Sequence, residues 1–197
     1  TCRFLRAPSY STRSESANEI TMHERPPFQF KIASEDWEFE LIHRLNYQTF
    51  VEEIPQHQPS ATRRLVDKFH AENTYLIGLC GGELVGMLAL RASRPFSLDQ
   101  KIPDLDSYLP ANRSICEIRL LAVDKKFRSG QVFHGLLGLL WQYSQQKGYN
   151  LAIISGTTRQ AKLYRHLGFS PFGPLVGTGD AQFQPMLITL ETFAPKV

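Results

Sequence analysis

Hydrophobic and polar positions alternate with period two at Phe28-Gln29-Phe30-Lys31-Ile32, which predicts a strand. Past Ser34 and Asp36, either of which suits a helix N-cap, the period lengthens, and Trp37, Leu41, Ile42, Leu45 and Phe50 recur at near-helical spacing. Pro55 and Pro59 break the chain, and Leu65, Val66 and Phe69 predict a second helix over 62–71 with those residues facing inward. Two apolar runs, 74–80 and 83–90, flank Gly81-Gly82, a hairpin signal because both turn positions need positive φ. Residues 93–113 hold three prolines, yet Leu98, Ile102, Leu105 and Leu109 give the stretch an apolar side, so we expect an ordered lid with a short helix. A nearly continuous apolar strand over 115–123 is interrupted by Glu117 and Arg119. A basic loop, 124–130, leads into a helix over 131–147 that Gly148 ends. A strand over 149–155, a helix over 158–167 closed by Gly168, a Gly/Pro-rich loop over 170–181 and a last strand over 186–190 complete the pattern. The order β-α-α-β-β-loop-β-α-β-α-β predicts a mixed α/β layer fold over 28–197. Residues 1–27, poor in large apolar side chains, read as a flexible N-terminal arm. The arm's Arg and Ser content, with no acid before Glu15, is also weakly similar to a transit peptide, and the start at Thr1 rather than Met fits a piece of a longer protein.

Composition narrows the picture. A chain of 197 residues suits one domain with its own core. The formal charge of +3 is too small to mark a nucleic-acid binder, and no apolar run approaches the roughly 20 residues of a membrane helix. Three cysteines without CxxC spacing fit a reducing, cytoplasmic compartment. Cys80 and Cys116 fall in apolar strands and read as small core residues. None of the six histidines has metal-ligand spacing, so no metal site is expected.

The chemistry concentrates where the 115–123 strand ends. The first turn of the helix that follows leaves backbone N–H groups unpaired and carries positive partial charge, an arrangement suited to a pyrophosphate. Lys125, Lys126 and Arg128 would add charge-assisted contacts, with Ser129, Gly130, Gln131 and Val132 supplying backbone. On the strand, Glu117 is either a base with a shifted pKa or the salt-bridge partner of Arg119 on the same face. Tyr164 sits on the short helix that runs into Leu167-Gly168-Phe169.

These two stretches resemble the GCN5-related N-acetyltransferase (GNAT) superfamily. Glu117, Ile118, Leu121, Val123 and Arg128 fall on its strand-and-loop pattern, and Tyr164, Leu167, Gly168 and Phe169 on its later helix. Ser129, Gln131 and Phe133 stand where that loop carries glycines, and Thr157 where Asn is usual. In this the chain is more similar to the branch of acyl-homoserine-lactone synthases and N-acyl amino acid synthases, although Arg119-Leu120 replaces that branch's Ser-Arg.

The resemblance implies a twisted mixed sheet of about six to seven strands with helices on both faces. It implies an acyl thioester donor, acyl-CoA or acetyl-CoA, with the phosphopantetheine of an acyl carrier protein as the alternative, and a small amine acceptor that is amino-acid-like. Glu117 would be the base and Tyr164 the acid for the leaving thiolate. Backbone around Leu121, Ala122 and Val123 would hold and polarise the thioester. Arg91, Arg94 or Arg119 would bind a substrate carboxylate. The alternatives at this point are a plain acetyl-CoA-dependent N-acetyltransferase and a noncatalytic acyl-CoA-binding or docking module.

Overall fold

The computed structural model describes residues 26–177, 182–189 and 193; most of the N-terminal arm, the centre of the late glycine loop and the end of the last predicted strand lie outside them. The order is β1 (Phe28–Ile32), α1 (Asp36–Tyr47), β2 (Thr74–Cys80), β3 (Glu83–Arg91), β4 (Ile115–Val123), α2 (Gln131–Lys147), β5 (Leu151–Thr157), α3 (Ala161–His166), β6 (Ser170–Pro171) and β7 (Phe183–Thr189). The strands form one seven-stranded mixed sheet in the order β1-β2-β3-β4-β5-β7-β6. The β4–β5 pair alone is parallel, and α2 makes the crossover that a parallel connection needs.

Alternation along the strands divides the core between two faces. Leu76, Leu88 and Leu90 pack on Leu136, Leu137 and Leu140 of α2. Their neighbours Tyr75, Ile77, Met87 and Ala89 pack on Ile42 and Leu45 of α1. A third cluster joins Phe96, Leu98, Ile102 and Leu105 of the 93–113 connection to Leu151 and Ile153 of β5, so this connection is a packed element of the α1-side layer. Its short helix is a 3-10 turn at Leu105–Tyr108. The N-terminus of α2 comes close to the sheet because Gly86 has no side chain: a Cβ there would stand 2.6 Å from a Val132 methyl.

Several expectations need correcting. The α1 cap is neither Ser34 nor Asp36: the buried Glu38 carboxylate reaches back to accept the N–H groups of Ser34 and Glu35 at 2.8 and 3.1 Å and pairs with Lys31 at 2.6 Å. After Tyr47 the helix widens into a π-helical turn, Gln48–Glu53, which re-aims its last residues. The predicted helix over 62–71 does not form. Asp67 accepts the Phe69 N–H at 3.3 Å and the Asn73 amide at 2.7 Å, offering the backbone a turn in place of a helix, and only a 3-10 turn, His70–Glu72, follows. Val66 is accordingly 49% exposed. The predicted 158–167 helix divides into a 3-10 turn and α3. Strand β5 runs two residues later than expected, and β7 starts at Phe183, three residues earlier, with Pro185 inside it.

Candidate active site

The site is built around an irregularity in β4. Ala89 opposes Arg119 and Met87 opposes Ala122, so Leu120 and Leu121 together face Leu88. This is a β-bulge, and Leu120 carries the positive φ, +53°, that it requires. The bulge reverses the side-chain alternation: Ile118 packs on the α2 side, Leu120 on the α1 side and Leu121 again on the α2 side. It also leaves one residue out of the hydrogen-bond ladder. Beside it, β4 pairs with β5 only from Ile115↔Leu151 to Glu117↔Ile153. Beyond those residues β5 continues against β7 alone, and a gap opens in the sheet.

A cavity of about 810 Å³ passes through this gap and is lined from both faces. On the α2 side the walls are Leu137, Leu140, Ile154, Leu167, Phe169 and Phe193. On the α1 side polar residues, Asn46, Asp67, Lys68, Gln100, Lys101 and Arg119, stand among apolar ones such as Phe50, Leu65 and Leu120. Asn46 is fully buried, and among the described residues its Oδ1 has no hydrogen-bond partner. Tyr164 lines the gap itself. Its ring covers Gly156, where a Cβ would come within 2.8 Å of the ring, and Thr157 is beside it in the cavity lining. Burial raises the Tyr164 pKa, so the hydroxyl keeps its proton.

Glu117 lies beneath the cavity floor and does not line it. It is fully buried, and its oxygens accept the Ser97 hydroxyl at 2.5 Å and the N–H groups of Ser97 and Leu98 at 2.7 and 3.2 Å. Arg119 adds an ion pair at 3.7 Å, the alternative that the strand alternation offered. The carboxylate thus ties the 93–113 connection to the sheet.

Of the three arginines, Arg119 reaches the cavity but is held by Asp67 in a two-pronged pair at 2.5 and 3.1 Å. Burial alone would raise the Asp67 pKa, but Arg119, Asn73 and the Phe69 N–H together hold it below the usual carboxylate range. Arg91 is 2% exposed, donates to the Pro95 carbonyl at 2.7 Å and stacks 4.1 Å over Phe69. Arg94 pairs with Asp99 and Asp106 within the connection. Neither Arg91 nor Arg94 lines the cavity, so the geometry gives both a structural part in place of the expected contact with substrate.

The basic loop stands where expected, at the N-terminus of α2, with Gly130 at φ +99°. Of the residues from Leu121 to Val132 named above, Leu121 lines the cavity. The Asp124 carboxylate accepts the Lys126 N–H at 2.9 Å. Glu53, brought over by the π-helical turn, pairs with Arg128 at 2.8 Å and with Lys125 at 3.7 Å. Two carboxylates therefore stand among the three cations. Sequence reading missed Glu53, Asn46, Asp67 and Lys101. For Glu53 the signal was indirect, an acid at a helix end; the other three carried none.

A seven-stranded mixed sheet that opens between its one parallel pair, crossed there by a cavity, defines the GNAT-type acyltransferase fold. The model of the family described as "N-acyl amino acid synthase FeeM" matches residues 41–190; the chain belongs to that family and is an N-acyltransferase. Among solved structures it is similar to the acyl-homoserine lactone synthase BjaI with SAM and isopentyl-CoA, at 21% identity over 80% of this chain and 79% of that one, with a TM-score of 0.68. It is similar to FeeM from uncultured soil microbes, at 16% identity over 87% and 96% of the two chains, TM-score 0.68. The acyl-homoserine lactone synthase LasI aligns at 21% identity over 84% and 91%, TM-score 0.67. No curated protein matches the sequence. Among the described residues no helix is long and apolar enough to cross a membrane.

Proposed function

We propose that this acyltransferase moves an aliphatic acyl group, longer than acetyl, from an acyl thioester to the amine of a small amino-acid-like acceptor. The cavity through the sheet carries the reading: the α2 end is mainly apolar, and the other end holds most of the charged and amide groups, from α1, the 62–71 segment and the connection. An acetyl group would leave the α2 side unfilled, whereas a longer chain gains about 0.8 kcal/mol for each methylene it buries there. The thioester carbon then lies at the gap, its carbonyl oxygen toward the backbone N–H that the bulge at Leu120-Leu121 frees from the ladder. Tyr164 gives its proton to the leaving thiolate. The acceptor enters from the α1 side, where the Asn46 Oδ1 is free to accept a hydrogen bond from the amine. The donor is acyl-CoA or an acyl carrier protein; the phosphate-bearing part lies over the loop between Asp124 and Gly130. The test is a matrix of acyl-CoAs and acyl carrier proteins, from acetyl to long chains, against amino acids and amines, read by mass spectrometry. We expect N-acyl products that favour long over acetyl donors by at least about 100-fold in kcat/KM, some four methylenes' worth. Acetyl preference would overturn the assignment of the α2 side to the acyl chain.

A further inference from the structure

Amide formation needs a proton acceptor, because a free amine arrives at neutral pH largely as its ammonium ion. Glu117 is poorly placed to serve: its oxygens are filled by Ser97, Leu98 and Arg119, and it does not line the cavity. Lys101 is placed differently. It stands in the connection that Glu117 anchors, next to Ile102, which is 2% exposed and packs against β5. Its Nζ donates to the Ser155 hydroxyl at 3.0 Å and lies 4.6 Å from the Phe183 ring centre. Ser155 is two residues past Ile153, the last β5 residue paired with β4, so the Lys101 amine stands at the gap where the thioester reacts. Thr157, which lines the cavity with Tyr164, is two residues further along the same strand, about 7 Å away. Among the described residues Lys101 forms no ion pair with a carboxylate. A neutral amine keeps N–H groups for Ser155 and has a lone pair left for substrate.

We propose that Lys101, in its neutral form, is the proton acceptor of the transfer. The inference rests on the acyltransferase reading above. Lys101 takes a proton from the substrate ammonium; the freed nitrogen attacks the thioester carbon, the C–N bond forms and the C–S bond breaks. The thiolate takes the Tyr164 proton, and the second amine proton restores the tyrosine. One amide, one thiol and one proton on Lys101 result, and Lys101 returns that proton to solvent. The surroundings favour the neutral form. Lys101 as a whole is exposed, but the protein packed around its amine lowers its pKa; Arg119 and Lys68 push the same way, and Glu117 pushes against them. Because the neutral lysine is the active form, turnover rises with pH through its pKa, and the lowered pKa moves that rise below the pH an ordinary lysine would give.

The experiment compares wild type with Lys101→Met and Lys101→Arg, using the best donor and acceptor pair from the matrix and following kcat against pH. We expect kcat to fall about 10²–10⁴-fold in both variants, with KM for the donor within about twofold and the Lys101-dependent rise with pH lost. Thermal melts check that the variants fold; Lys101→Arg keeps a long hydrogen-bond donor in place but as a fixed cation that cannot accept a proton. Lys101→Arg turning over within roughly threefold of wild type would show that a fixed cation suffices and overturn the inference, as would a loss confined to KM for the acceptor. If wild type makes no amide from any thioester, the functional reading falls; if wild type turns over and Lys101→Arg does too, only the role of Lys101 falls.

Discussion

The two sides of the sheet share one cavity and hold it open by different means. On the α2 side the walls are leucine, isoleucine and phenylalanine, and the groups that carry polar atoms there are quiet: burial pushes the Cys116 thiol up to about 12. On the α1 side charged groups stand among apolar ones and are tied to one another and to the layer beneath, Asp67 to Arg119, Arg119 to Glu117, and Glu117 to Ser97 and Leu98. Volume decides what the first side accepts. The second works through orientation, because each polar group is positioned by another. Damage should therefore spread along the α1 side and remain local on the α2 side.

The largest effect should come from Glu117→Ala. It strands three buried donors and weakens the hold on Arg119. Breaking a buried charged pair of this kind costs about 3–5 kcal/mol, measured here as a lower urea midpoint, with activity falling as the connection loosens. Glu117→Gln sharpens the comparison. If Glu117 is the anchor, the amide variant loses stability and activity together. A fully stable but inactive Glu117→Gln would instead mark it as the base.

A smaller and more selective effect is expected from Leu140→Trp on the α2 side. Leu140 is 3% exposed and lines the cavity. The larger ring takes space from the chain, and each methylene excluded removes about 0.8 kcal/mol, or about fourfold in kcat/KM. The profile of activity against chain length should shift to shorter donors while turnover of the shortest is preserved. An unchanged profile would put the acyl chain elsewhere.

How much of this was readable in advance follows the same division. The alternation of Phe28–Ile32, the apolar runs around Gly81-Gly82 and the leucine spacing of α2 are local periods, so the sheet and its main helices were legible, although Ile32 itself is exposed. Glu117 and Arg119 stood out because charges interrupt an apolar run, and their pairing was one of the two readings weighed. The bulge was hidden, since Leu120-Leu121 looks like continuous strand and only the register against Met87 and Ala89 shows the extra residue. The same holds for Asp67, whose side chain replaced a predicted helix with a turn. Lys101, flanked by Gln100 and Ile102, carried no local mark; its place depends on where the connection packs. Side-chain roles set by distant partners are not written in any local period.

Glu53 is the clearest case and gives the subtlest test. Lys125, Lys126 and Arg128 read in sequence as a concentrated basic patch for the donor's phosphates. In the fold the π-helical turn carries Glu53 onto that patch, its side chain 11% exposed, with Arg128 at 2.8 Å and Lys125 at 3.7 Å. A phosphate seated at the α2 N-terminus would compete with this carboxylate for the same cations. Glu53→Gln should free them and lower KM for acyl-CoA. A half-open ion pair is worth about 0.2–1 kcal/mol, so the gain is at most about fivefold and fades at high salt. An acyl-pantetheine donor, which has no phosphate, should show no change, and this separates a phosphate effect from a loosened loop. Equal effects on both donors would mean that Glu53 merely braces the loop, and that the phosphates lie away from Arg128 and Lys125.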